Sequence, residues 1–295
     1  MRDILLLFDT DEYTTPFDIL ISYDAGFDIV VPYAKVTPES ATTLTQDAMF
    51  PRGVKGVAHT TIFVGGKDDE AAKKILANIK KTMFPPFEMA VIVDPRGGHT
   101  TASALVAKIE EVLAKNNLGS LKGLKVVILA GTGQVGQLAA MICASEGAEV
   151  VITSRKKEKA DEVVAELEKE SGLKMNGVQA ATDDEILKTI KDADVVIATG
   201  KAGVCLVNKE MLKKLEKCKV VADVNANPPL GIEGLELSSN GKEIIPGVYG
   251  LGALAVGDLK YKVEIAMLQA AKDAKKGIFD YKFAFDKAKE ILGLK

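Results

Sequence analysis

Short apolar runs alternate with longer polar segments of helical period along most of the chain, the arrangement that builds βα units on a parallel sheet. Residues 4–8 read as a first strand, ending in the polar run Asp9-Thr10-Asp11-Glu12. Pro16 stands at a helix start, and residues 17–23 read as a helix stopped at Gly26. Residues 29–33 are a second strand, and Pro32 argues for a sheet edge or a strand end because proline cannot donate to a ladder. Thr37 reads as the N-cap of the next helix, with Pro38 at its first position. Residues 60–66 give a third strand, 68–83 a charged amphipathic helix, and 89–93 a fourth strand. A polar loop from Asp94 to Thr101 then leads into a helix predicted from about Ala102 to Lys115.

Residues 116–123 are polar and glycine-bearing, and read as a domain junction. Beyond them the pattern becomes a continuous apolar strand, residues 125–129, followed by Gly131-Thr132-Gly133-Gln134-Val135-Gly136 and a helix to about Glu146. Further strands are predicted at 149–153, 177–181, 194–198 and 219–224, with helices at about 155–171 and 183–191 between them. Four glycines between 247 and 262 argue for close backbone packing or for a flexible approach to ligand. Helices at about 258–275 and 280–292 complete the chain.

A lone Gly-x-Gly-x-x-Gly means little, but between a buried strand and a helix it has a mechanism. Gly131 permits the tight turn, Gly133 lets a pyrophosphate approach the backbone, and Gly136 lets helix pack on strand. The helix start, with Thr132, Gln134 and Val135, supplies N–H groups and a positive dipole end. The alternative is a glycine-rich turn with no ligand. At the end of the next strand stand Ser154, Arg155 and Lys156. An NAD site usually has a carboxylate there to hold the ribose 2′-OH, whereas a 2′-phosphate wants positive charge and hydroxyls. The residues favour NADP, with NAD possible. The competing view makes the basic residues a solvated first helical turn, but cations are disfavoured at a helix N-terminus. Thr199 and Gly200 end a later strand, where a nicotinamide ribose could lie, and Asp223 and Asn225 fall at the same sheet edge.

In the first half, Asp94, His99, Thr100 and Thr101 are candidate substrate contacts, because ligands collect at strand C-termini in open α/β sheets. Each has a plainer reading: Thr100 or Thr101 as a helix cap, Asp94 as an Asx turn, and His99, taken alone, as an ordinary surface histidine.

Composition narrows the partners. The 295 residues, 47% apolar, are enough for the cores of two domains, and a net charge of −3 offers no basic surface for nucleic acid. A small-molecule ligand is expected. No apolar run approaches the roughly 20 residues of a membrane span, and Met1-Arg2-Asp3 enters a strand with no signal-peptide pattern, so a cytoplasmic location is expected. Three cysteines and two histidines suggest neither a disulfide framework nor a metal site, and the cysteines read as small buried hydrophobes.

The segments 16–18, 23–27, 44–47 and 63–67, with Asp223-Val224-Asn225-Ala226-Asn227-Pro228-Pro229-Leu230-Gly231-Ile232 and residues 252–262 (GALAVGDLKYK), resemble the NAD(P)-dependent methylene-tetrahydromethanopterin dehydrogenases of one-carbon metabolism in methylotrophic bacteria. The resemblance covers essentially the whole chain. It implies an α/β, two-domain fold: a substrate domain at 1–118, a Rossmann-type parallel-sheet dinucleotide domain at 119–256, and C-terminal helices at 257–295 that return to the substrate domain. It also implies a homo-oligomer, and it matches the family's site lysine to Lys260. Family members differ in NAD or NADP use and in acceptance of the tetrahydrofolate analogue, so both points stay open.

The reaction follows from chemistry. Loss of hydride from a methylene carbon between two nitrogens leaves a methenyl cation that both nitrogens share, so neither metal nor nucleophile is needed. A charged lysine beside that cation would oppose it. Lys260 is therefore expected to touch the pterin or carbonyl part of the substrate, or else to sit desolvated and neutral. Asp18, Asp24 or Asp94 could balance the cation or bind pterin nitrogens, with Asp94 ranked first for its strand-end position. The other classes are a methylene-tetrahydrofolate or hydroxy-acid dehydrogenase on the same two-domain plan, and a non-catalytic nucleotide sensor.

Overall fold

The computed structural model describes residues 1–294. It divides into two compact units, Met1–Thr100 with Tyr261–Lys287, and Thr101–Lys260 with the segment from Ala288. In chain order the first elements are β1 (Ile4–Asp9), α1 (Pro16–Asp24), β2 (Ile29–Tyr33), α2 (Pro38–Met49), α3 (Gly53–Val57), β3 (Thr60–Gly65), α4 (Asp69–Thr82), β4 (Ala90–Val93) and α5 (Gly98–Lys115). Next come β5 (Lys125–Leu129), α6 (Gln134–Ser145), β6 (Glu149–Ser154), α7 (Lys157–Ser171), β7 (Asn176–Gln179), α8 (Asp183–Ile190), β8 (Val195–Ala198), α9 (Lys209–Leu212) and β9 (Val220–Asp223). The last are β10 (Asn240–Ile245), β11 (Val248–Leu251), α10 (Ala253–Ala274), β12 (Gly277–Phe279) and α11 (Tyr281–Leu292).

The first unit is built on a parallel sheet ordered β12-β4-β3-β1-β2. Pro32 falls in β2, an edge strand, where its missing N–H breaks no ladder. Local chemistry sets the helices around it. Thr37 and Ser40 form a reciprocal capping box at the start of α2. In α4, Asp68 caps the N-terminus, acids fill the first turn and Lys80 and Lys81 the last, each opposing a dipole end. Phe8, Met49, Ile62, Val64, Ile75 and Ile79 form the core on one sheet face. The chain leaves β1 for β2 on one side and returns as β3 on the other, so the switch point lies between β1 and β3, where Asp9 pairs in register with Gly65.

The second unit carries a seven-stranded sheet ordered β10-β11-β9-β8-β5-β6-β7, parallel except for β10, which runs antiparallel to β11. Its switch point lies at β5, flanked by β6 on one side and β8 on the other. Buried Val127, Leu129, Val196, Val221 and Ile232 belong to the core there.

Four expectations are corrected. The 247–262 segment is not a flexible approach: β10 and β11 make a hairpin, and a Cβ on Gly250 would stand 2.5 Å from Leu235 Cδ1, so close packing requires that glycine. α10 begins at Ala253 rather than Asp258, which places Lys260 beyond the first turns. α5 begins at Gly98 rather than Ala102, because Asp94 caps it early. Cys143 and Cys218 are buried as expected, but Cys205 is exposed in the irregular segment after β8. Among the described residues no helix is long and apolar enough to cross a membrane.

Candidate functional site

The glycine turn follows β5 directly. Ala130 takes a left-handed backbone conformation with φ +52°. Its N–H donates to Thr153 Oγ1 at 3.0 Å, and the Gly131 N–H donates to the Thr153 carbonyl at 3.1 Å. One residue of β6 thus holds both peptides of the turn. A Cβ on Gly131 would lie 2.8 Å from Ile128 Cγ2, and one on Gly136 would lie 2.6 Å from Gly131 Cα. Both glycines are required by close packing. Gly133 differs, since nothing lies within 4 Å of where its Cβ would stand. It is the N-cap of α6, and no side chain caps that helix. An open glycine at an uncapped helix start fits a pyrophosphate, whose charge the helix dipole favours. Thr132 lends its carbonyl to Gln137 Nε2 at 2.8 Å, which stiffens the turn, while Gln134 and Val135 form the first turn of α6.

Beside the turn lies a cavity of about 230 Å³, lined by Ala130, Thr153, Ser154, Arg155, Gly200 and Lys201 among others, with no carboxylate in its wall. The structure therefore brings Ser154, Arg155 and Gly200 together. Lys201 is an addition that the sequence pattern did not single out. β6 and β8 flank β5, so Arg155 and Lys201 reach this cavity from opposite sides of the glycine strand. Lys156 is exposed at the N-cap of α7 and outside the cavity wall. Thr199 has a bracing position: its N–H and its hydroxyl both donate to the Leu129 carbonyl at 3.1 Å.

At the end of β9, Asp223 is occupied by its own loop. Its carboxylate accepts from the N–H groups of Asn225 (2.9 Å), Gly231 (2.7 Å) and Ile232 (3.3 Å), and burial pushes its carboxyl above the usual range. Asn225 accepts from Asn227 N–H at 3.0 Å, while its buried Nδ2 has no partner. Asp223 fixes the loop, and Asn225 offers the donor.

In the first unit the expected substrate loop proves to be a helix cap. Asp94 Oδ1 accepts from His99 N–H at 2.8 Å and Thr100 N–H at 3.1 Å, and Oδ2 accepts from Thr100 Oγ1 at 2.6 Å. Asp94 and Thr100 satisfy each other: the Asp94 side chain caps the helix, and Thr100 lies within its first turn as a donor. His99 is not a surface residue but is buried, so its imidazole is held neutral, its pKa lowered by desolvation. Its Nδ1 accepts from Tyr281 N–H at 3.1 Å and its ring meets Tyr281 edge to face. Thr101 is half-buried in the first turns of α5.

Further polar groups of this unit gather at the β1/β3 switch point. Asp18 is buried in the first turn of α1, and its Oδ2 stands 3.5 Å from where a Gly65 Cβ would be. Asp9 is fully buried there, and Asp11 pairs with Arg96, a non-glycine residue at φ +50°. Asp9, Asp11 and Arg96 escaped the sequence reading, although Asp9-Thr10-Asp11 at the end of a buried strand was the available signal. Lys260 lies half-buried on α10, the last residue of that stretch of the second unit.

Comparison with known proteins adds the family. Residues 16–96 match the family model described as methylene-tetrahydromethanopterin dehydrogenase, N-terminal, and residues 112–230 match the shikimate/quinate 5-dehydrogenase model. The NAD(P)-dependent methylenetetrahydromethanopterin dehydrogenase of Methylorubrum extorquens is 34% identical over 295 residues, covering 99% of both chains. The bifunctional protein MdtA of the same organism is 35% identical over 290 residues, covering 98% of this chain and 99% of its own. Among solved structures, the shikimate 5-dehydrogenase of Listeria monocytogenes superposes with a TM-score of 0.52 at 14% identity, over 99% of this chain and 96% of its own, and so shares the fold. With a relative of that identity aligned from end to end, the chain belongs to the NAD(P)-dependent methylenetetrahydromethanopterin dehydrogenase family.

Proposed function

We propose that this chain oxidises methylene-tetrahydromethanopterin to the methenyl form in one-carbon metabolism, passing a hydride to NADP, with NAD as the alternative acceptor. The observation that carries the reading is the open glycine turn beside a carboxylate-free cavity with two cations, in a chain aligned end to end with that family. When bound, the nicotinamide cofactor supplies the hydride acceptor. The protein's part is placement. Gly131 to Gly136 and the α6 terminus hold the pyrophosphate, Thr153 keeps that turn rigid, and Ser154 with Arg155 holds the 2′-phosphate. Asn225 Nδ2 is the donor left for the cofactor near β9.

The substrate needs no proton removed, because the cation is shared by its two nitrogens. Lys260 therefore works as a positioning group on the pterin or carbonyl part of the substrate, away from the reacting carbon. In this reading substrate binding belongs to residues 1–118 with 257–295, and nucleotide binding to 119–256. The acidic, span-free chain supports a cytoplasmic enzyme whose partners are small molecules rather than nucleic acid, and the family resemblance supports a homo-oligomer.

The test is a comparison of NADP and NAD reduction with methylene-tetrahydromethanopterin and with methylene-tetrahydrofolate. Fastest turnover is expected with the methanopterin and NADP. Cofactor binding with no turnover of either pterin would overturn the reading.

A further inference from the structure

The first unit holds a buried carboxylate with one oxygen unpaired. Asp9 ends β1, is fully buried, and accepts from Asp11 N–H at 2.8 Å through Oδ1 alone; Oδ2 has no hydrogen-bond partner. Five residues on, the Thr14 hydroxyl is also buried without a partner. A carboxylate oxygen left unpaired out of water is costly, so such a group is either protonated or waiting for a donor. Its position argues for the donor. Asp9 pairs with Gly65 across the point where the sheet order reverses, and ligands of open parallel sheets bind outside the strand ends at that point. The backbone is packed closely around it: Gly66 takes φ +93°, and a Cβ there would lie 2.0 Å from Thr10 Oγ1 and 2.8 Å from Asp9 Oδ1. The neighbouring cation, Arg96, pairs with Asp11 instead, held by a left-handed backbone of the strained kind that persists where function demands it.

We propose that Asp9, with the Thr14 hydroxyl five residues on, receives the N–H donor edge of the substrate's 2-amino-4-oxopyrimidine ring at the β1/β3 switch point. The ring's adjacent ring N–H and exocyclic amine present two donors, which match a free carboxylate oxygen and a hydroxyl. Arg96, half exposed and paired with buried Asp11, is the solvent-facing side of the cluster. The assignment rests on the pterin reading above, and it moves the pterin-binding acid from Asp94 to Asp9.

Asp9→Asn keeps the shape and the bond from Asp11 N–H, but it turns the free acceptor into a donor facing donors. The KM for methylene-tetrahydromethanopterin is expected to rise ~10-fold or more, with kcat changed much less and the Kd for NADP unchanged. Thermal stability should hold or rise, since a buried charge is removed, and a merely structural role would not produce that split. Thr14→Val, a milder change, should raise the same KM ~3-fold or more, and it decides the matter if Asp9→Asn fails to fold. An unchanged KM in the folded Asp9→Asn protein, or in Thr14→Val where only that variant folds, overturns the assignment while leaving the function standing. Failure of the wild-type protein to bind tetrahydromethanopterin by calorimetry, or to turn over its methylene form, overturns both.

Discussion

The Thr153 hydroxyl accepts the Ala130 N–H at 3.0 Å, and this one bond pins a left-handed, non-glycine residue at the entrance to the glycine turn. Thr153→Val removes the acceptor and leaves the Ala130 N–H unsatisfied, a loss of about 1–2 kcal/mol. We expect a KM for NADP raised about 5- to 30-fold, with the KM for the pterin unchanged, measured by steady-state kinetics. Ala130→Gly should do the reverse for the fold, adding up to about 1 kcal/mol by relieving the left-handed strain, read by urea unfolding.

Gly133 and Gly136 should fail in different ways. A methyl at Gly136 strikes the Gly131 backbone, so Gly136→Ala should lower stability by about 1–3 kcal/mol and weaken cofactor binding with it. A methyl at Gly133 meets no protein atom, so Gly133→Ala should leave the melting temperature unchanged yet raise the Kd for NADP about 10-fold or more. Equal melting losses in the two variants would show that Gly133 does not face ligand.

Arg155 lines a cavity without carboxylates. Arg155→Asp should reduce kcat/KM with NADP about 100-fold while changing NAD use less than about 3-fold, because only the 2′-phosphate meets the new charge. Matching losses with both cofactors would remove the 2′-phosphate from its role.

Lys260→Met preserves the length of the side chain but not its charge. The expected result is a higher substrate KM and a lower turnover, with unchanged affinity for NADP. Full turnover and unchanged substrate affinity would make Lys260 merely structural.

Stability should depend on pH through Glu110. Burial, and then the neighbouring Glu146 carboxylate, raise its carboxyl to about 7, while Lys289 lies 3.8 Å from Glu110 and 3.2 Å from Glu146. The folded pKa lies above the unfolded one, so the stabilising contribution is complete below about pH 4.5 and is lost as pH rises through about 7. The effect is about 2 kcal/mol after allowance for solvent screening. Melting temperature should fall across that window, and Glu110→Gln should flatten the fall. His99 contributes with the opposite sign: its imidazole is held neutral by burial, so its share of stability is present above about pH 6.5 and is lost as pH falls through its lowered folded pKa.

Much of this was legible in residue order. The βα alternation, the edge position marked by Pro32, the Thr37 cap and the glycine turn depend on neighbours within a few residues, where propensity and spacing act. That Ser154 and Arg155 lie beside the glycine turn was legible for the same reason, since they end the next strand. Three-residue β12 was not, because it exists only by pairing with β4, far away in the chain.

The sequence by itself determined the two α/β halves, the glycine turn and the family. Only the tertiary structure decided which polar residues are free to act. Asp94, Thr100 and Asp223 look available in the chain, but their hydrogen bonds are taken by their own loops. Asp9 looks like the start of a loop, yet folding buries it between two strand ends with one oxygen unpaired. The physical reason is that hydrogen-bond satisfaction depends on every group a fold brings near, and residue spacing records only those nearby in the chain.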